Sequence, residues 1–539
     1  MAVRHVKVGG TKAAGNSTAD DWTLANCYPT IATAMAGSTA GAGDELILED
    51  ETHTVASMIA ESFGFAGAFT IRGRTARADN STAPAAIISG SSASGALFIF
   101  NDTVNRADIE FRDVGFTKSV THTDSARPLA FHVTQKTGNV TLTRVWFHDV
   151  DVSFSGSTSW RLGMFSCQQA PTAAATVRMN GVRFDNISGS FGTGFCSLLY
   201  ETAVNGWPAG SEIIKDDVVI RNISASIGGQ FRFSSTNGKT TIRGYDAEGV
   251  TLTSTDTTNG VGTLYYKDSV GKLFARDIKM KNIAATSGYV DAEIQVWSDY
   301  DVANVLGINV QHDSTNHDDT SGIGCLIAFF NGKLGTIRKV RAYRCKSKFG
   351  TAVYISNGAY GTVDTAWAEE CECGNGLYYK GGNGDVSWSN LVAVNNTQID
   401  VVASSSAALV FYGHNGGSTG PAATCTMGVR NLIAKGNYHP QSATPISFSQ
   451  PTDDAAVFNV VARDITCRDE SDTGYSIRVG IKEVNLDIAG CNLAGTIENA
   501  GTGTVTESGT TDSDVVIIGG LSMDTELDDR WPVAYRVST

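Results

Sequence analysis

The chain has 539 residues, of which 18% are charged, with 58 glycines, 10 prolines and a net charge of −14. That acidic balance, with no basic stripe of interleaved aromatics, excludes nucleic acid as an expected partner. No apolar run approaches a membrane span, so no membrane insertion is expected.

In chain order, the opening Met1-Ala2-Val3-Arg4-His5 has no apolar stretch, so no secretory signal is expected. Trp22, Tyr28, Ile31 and Met35 fall on one face of a short helix, with Pro29 near its first turn. Gly43-Asp44-Glu45-Leu46-Ile47-Leu48 then turns into a strand, and Phe69-Thr70-Ile71-Arg72-Gly73 reads as another rung. These features predict a lead and cap helix over 1–48, a coil stack over 49–495, and a polar spacer with a capping or docking tail over 496–539.

From about residue 109 onward a short pattern recurs: apolar, any residue, Asn/Asp/Gly, apolar, outward, apolar. Its fourth position gives the anchors Val114, Val145, Val182, Ile223, Tyr245, Ile278, Ile308, Val340, Ala366, Leu391, Leu432, Ile465 and Ile488. Their mean spacing is about 31 residues, a solenoid's period. The positions two after and three before each anchor are nearly all apolar or small, and the alternation has period two, so the repeat unit is a strand. Just before most anchors stands Gly, Asn or Asp, the residues that tolerate positive φ, so a sharp bend is expected there. Stacked about 4.8 Å apart, about fifteen such coils make an all-β parallel helix roughly 70 Å long.

The cap helix followed by the Gly-Asp-plus-apolar-strand segment at 43–48 resembles the entry of the pectate-lyase-like right-handed parallel β-helix family. The resemblance implies a right-handed, single-stranded parallel β-helix over nearly the whole chain, and says little about chemistry.

The outward positions lie one and three places after each anchor, and there any site must sit. They read Trp146/His148, Arg183/Asp185, Ser224/Ser226, Asp246/Glu248, Lys279/Lys281, Asn309/Gln311, Arg341/Tyr343 and Trp367/Glu369. Aromatics, amides and charges on one face suit sugar recognition, so Trp146, His148, Arg183, Lys279, Lys281, Arg341, Tyr343, Trp367 and Glu369 are the candidate glycan contacts. Asp185, Asp246 and Glu248 offer an alternative, a carboxylate set for glycoside hydrolysis, or for a lyase using nearby Arg183, Lys279 and Lys281. A third account makes the same acids cross-strand charge partners. An arginine column two before the anchor (Arg112, Arg221, Arg243, Arg276, Arg338, Arg430, Arg463) is either a charge-paired edge or an interface.

Cys345 and Cys371, five past adjacent anchors, stack either as buried thiols or as a disulfide. The loop from Gln311 to Asp319, with His312 and His317, matches no structural zinc spacing, so no metal and no cofactor are expected. Gly416-Gly417-Ser418-Thr419-Gly420 lacks the strand–helix context of a nucleophile elbow.

A coil stack of this kind looks like bacteriophage tailspike or particle-decorating proteins. The resemblance implies a virion location, contacts with other virion proteins, side-by-side homotrimers and adhesion to host surface polysaccharide. The chain lacks an evident particle-binding domain or a long trimerisation domain, so a purely structural role is also open. A polysaccharide depolymerase and a bacterial surface adhesin are the other readings, and enzyme activity is not the leading one.

Overall fold

A computed structural model describes residues 3–509 except 19, 37–43, 58, 61–67, 92–96, 101–107, 122–130, 134–137, 155–164, 168–172, 192–194, 202–206, 228–229, 255–262, 268–269, 288–293, 315–326, 330–333, 348–350, 357–359, 374, 382–384, 399–408, 414–424, 439–443, 450–456, 470–473 and 481–482. Strands account for 68% and helix for 3%. They form two sheets, of 27 and 15 strands, and the pairings between successive coils are parallel. One coil shows the plan. Val140–Thr143 and Trp146–Phe154 join the long sheet on either side of a bend, and Phe165–Cys167 joins the second sheet. The fold is a parallel β-helix.

Register follows from the pairings. Trp146 faces Arg183, Arg183 faces Val219, and Val219 faces Asp246, which aligns Val145, Val182, Val218 and Tyr245. Three expected anchors are therefore misplaced. Ile223 lies opposite Ile187, Ile308 opposite Lys281, and Ile488 opposite Ala462. The residues in their places are Val218, Val305 and Cys491.

For Ile223 the slip has a physical cause, because ten of the thirteen coils bend twice. With the register corrected, the residue before the anchor has positive φ in all thirteen coils, from Asp113 (57°) through Asp217 (53°) and Asn304 (58°) to Gly490 (68°). A second left-handed residue follows five places later, among them Asp149, Asn186, Asn222, Asn282, Asn309 and Asn395. Both bends favour the same residues and are followed by the same alternation, so Asn222 imitates a first bend. Even Arg144, Lys339 and Thr365 are held at positive φ, where an ordinary side chain costs about 1–2 kcal/mol. Side-chain amides join successive bends: Asn304 donates to Asp277 at 2.8 Å, Asn309 to Asn282 at 2.8 Å and Asn431 to Asn390 at 3.1 Å.

Inside, the column two past the anchor begins with a ring stack. Phe116 lies on Phe147 at 5.4 Å, and Phe147 on Phe184 at 4.9 Å. All three are buried, and such offset pairs add about 0.5–1.5 kcal/mol beyond their burial. The column three before the anchor is apolar except on one coil. There Lys215, between Met179 and Ile242, points into the core and meets Glu201 from the second sheet at 2.7 Å.

Both ends carry strands beyond the core stack. Val3–Val6 pairs with Asp44–Leu48, and Val505–Ser508 pairs with Val484–Ala489. The cap helix spans Ile31–Ala36 and buries Ile31, Ala34 and Met35. Trp22 and Tyr28 are not on it, contrary to the expected face. Thr30 caps the helix, its hydroxyl accepting from the Thr33 amide at 3.1 Å, so helix begins only after Pro29. Tyr28 lies instead in strand Cys27–Tyr28, and Trp22 stacks on His5 at 4.2 Å.

Candidate glycan-binding face

Where a coil has both bends, four residues lie between them, and the first and third point inward. The outward pairs that follow from the pairings are Trp146/His148, Arg183/Asp185, Val219/Arg221, Asp246/Glu248, Lys279/Lys281, Leu306/Ile308, Arg341/Tyr343 and Trp367/Glu369. Two expected pairs change with the register. Ser224/Ser226 and Gln311 do face solvent, but on the segment past the second bend, and Asn309 is the second-bend residue itself. Arg221, which the sequence pattern placed in the arginine column, belongs to the face.

At one end of this face, Trp146 is only 8% exposed. The Arg183 guanidinium lies 4.5 Å from its ring centroid, and Arg77 lies 5.1 Å from it. Arg77 comes from the connection 74–85, which leaves strand Phe69–Gly73 and folds back over the coils; its guanidinium donates to the Arg144 carbonyl at 2.7 Å. Arg183 forks onto Asp185 at 2.7 Å, and Arg144 onto Asp113 at 2.7 Å. His148 Nδ1 donates to Asp149 at 2.9 Å, and this bond, with one from Asn186, lowers the Asp149 pKa.

In the middle of the face the candidate catalytic acids are tied to cations. Asp246 pairs with Arg221 at 2.6 Å, Glu248 with Lys281 at 3.4 Å, and Asp185 with Arg183 and the Asn222 amide. Arg221 occupies the rung between Asp185 and Glu248, so those two carboxylates flank a guanidinium rather than an open gap. Lys279 and Lys281 form the next rung.

Five coils beyond Arg183, roughly 24 Å at the 4.8 Å spacing, lies a second cluster. Arg341 sits 4.5 Å from the Trp367 ring and 2.8 Å from Glu369. Arg344 lies 4.8 Å over Tyr343 and pairs with Glu370 at 2.7 Å. Burial pushes the Glu369 carboxyl up, with Arg341 opposing it, and burial likewise raises the Tyr343 phenol. The structure thus brings together Trp146, His148 and Arg183 at one place and Arg341, Tyr343, Trp367 and Glu369 at another. The two tryptophans, read from the sequence as candidate glycan contacts, each carry a guanidinium on the ring, because arginine on the neighbouring rung covers an aromatic at cross-strand distance.

Five members of the arginine column are paired within the sheet. Arg112 meets Glu110, Arg243 meets Asp216, Arg276 and Arg338 share Asp301, and Arg463 meets Asp487, all within 3.1 Å. Cys345 and Cys371 are buried free thiols. Among the described residues no cluster of His, Cys, Asp and Glu could hold a metal ion, and no helix is long and apolar enough to cross a membrane. His317 and the Gly416–Gly420 string lie outside the described residues. Arg77 escaped the sequence reading because no periodicity marks a residue in a long connection.

No family model, curated protein or solved structure matches this chain.

Proposed function

We propose that the chain is a virion surface protein of tailspike-like build that binds host glycans along the outward columns of its bend-to-bend segments, without cleaving them. The observation that carries this reading is the pairing of every candidate acid. Asp185, Asp246 and Glu248 each hold a cation of the same face, which suits a flat recognition surface and leaves no free acid–base couple. The two arginine–tryptophan clusters would contact sugar rings and hydroxyls at separated points, and side-by-side trimers would carry three such faces on one particle.

The test joins location to chemistry. Antibody to this chain, gold-labelled on the source's particles, is expected at the tail. The purified chain is expected to bind surface polysaccharide of the host while releasing no reducing ends or unsaturated products. Label over the head would favour a decorating role. Cleavage that is abolished by Asp246→Asn and Glu248→Gln in folded protein would replace this reading with a depolymerase.

A further inference from the structure

We infer that Arg77, Arg183, Trp146 and His148 form a site for an oxyanion group, so that the ligand of this face is an acidic glycan. The inference rests on the glycan reading for its natural ligand, and on local geometry for the site itself.

Three guanidinium groups converge at this end of the face. Arg144 is neutralised by Asp113 and Arg183 by Asp185. Arg77 has no carboxylate in ion-pair range among the described residues. Its terminal nitrogens donate only to the carbonyls of Arg144 and Thr82. Burial pulls the Arg77 pKa down; Asp113 opposes this, and nearby Arg144 and Arg183 add to it. A half-buried cation beside two others is a place where an anion gains the most.

A second observation points the same way. Arg77 Nε, Trp146 Nε1 and His148 Nε2 are all buried without a hydrogen-bond partner. Leaving a buried donor unsatisfied costs about 1–3 kcal/mol, so the two N–H groups, Arg77 Nε and Trp146 Nε1, call for an acceptor. Trp146 is more than nine-tenths buried, and its indole edge is rigidly held between rungs. His148 gives its Nδ1 proton to Asp149, so its Nε2 donates only as imidazolium. On the neighbouring rung stands Gly115, where a Cβ would come within 2.7 Å of His148 Nε2, so only glycine lets the imidazole lie there. A carboxylate, sulfate or phosphate oxygen could accept from Arg77 Nε and Trp146 Nε1 together. Admission requires the 74–85 connection, whose Asn80 amide reaches the Asp217 carbonyl at only 3.5 Å, to shift outward.

The test is a titration of the intact ¹⁵N-labelled chain with sodium glucuronate, sodium sulfate and neutral glucose, following the Trp146 indole resonance assigned through Trp146→Phe. A saturable shift with glucuronate or sulfate but not glucose is expected. Arg77→Gln should weaken it about tenfold or more, and Arg77→Lys, which keeps the charge without the fork, by less. Saturation by glucuronate alone assigns a uronic acid, and saturation by both a general oxyanion site. A shift that is linear in salt, or that Arg77→Gln leaves unchanged in folded protein, overturns the inference. If host polysaccharide binds equally well to Arg77→Gln, the oxyanion site fails while the glycan reading stands. If anions saturate the site and no polysaccharide binds, the reverse holds.

Discussion

The buried pair Lys215–Glu201 gives the sharpest test of the corrected register. Both side chains are fully buried, the nitrogen and carboxylate are 2.7 Å apart, and Lys215 also donates to the Ser234 hydroxyl at 2.7 Å. Burial pushes the Glu201 pKa up and the Lys215 pKa down, each partner opposing that trend in the other. At 2.7 Å and an effective dielectric near 20, the gross attraction is about 6 kcal/mol, most of which desolvation of the two ions cancels. Removing one partner strands the other, so Glu201→Leu and Lys215→Met should each cost about 3–5 kcal/mol. The double replacement should cost far less and can stabilise. If the stack melts as one unit, its unfolding entropy is about 1.1 kcal/mol per kelvin, so each single variant should lower Tm by about 3–4 °C. Calorimetry of the four proteins reads the cycle. Single variants that each lower Tm by less than 1 °C, with additive effects in the double, would refute the placement of Lys215 in the core. The register expected from the sequence put Ile220 in that column and gives no reason for any coupling.

Three further outcomes follow from the same geometry. Phe147→Asp places an unpaired charge inside the ring stack and should abolish folding, whereas Ser224→Asp, on an exposed outward position, should change stability by less than about 0.5 kcal/mol; far-ultraviolet circular dichroism separates them. Thr365 holds φ of 74°, so Thr365→Asn should stabilise by about 1 kcal/mol and the converse Asn390→Thr should destabilise by as much, read from unfolding midpoints. Because Asp149 has a lowered pKa, its carboxylate stabilises the fold fully above the usual 3.8 and loses that contribution as pH falls through the depressed folded value. Asp149→Asn should therefore flatten the acid limb of Tm against pH while changing neutral stability by under about 1 kcal/mol.

The fold was legible because a coil must bury the same columns on every turn. Strands Asp44–Leu48 and Phe69–Gly73 coincide with the segments read from alternation alone. What alternation does not supply is phase. Asn222, Gly307 and Asp487 looked like first-bend residues, yet Asn222 makes the second bend, and Gly307 and Asp487 are not at positive φ. Choosing correctly needs the partner strand, because the second bend selects the same residue types as the first and others of those types stand within strands. The second sheet was invisible for another reason. Strands such as Phe165–Cys167 and Ile327–Phe329 have three residues, too few to show a period. For the site, residue types on the outward columns were readable, but what covers them was not. Arg77 reaches Trp146 from a rung far back in sequence, and Arg221 separates Asp185 from Glu248 only once the phase is right.

The coils differ in length while their bends stay aligned: 25 residues separate Ala366 from Leu391, and 41 separate Leu391 from Leu432. All the surplus is taken up away from the paired segments, so the molecule is modular along its axis. Excising Ala366 to Asn390, one whole turn, would join Thr365 to Leu391, stack Leu391 on Val340 and shorten the rod by a single 4.8 Å step. Such a chain keeps every bend in line while losing Trp367 and Glu369, so each turn carries its share of reach and its share of the outward face together.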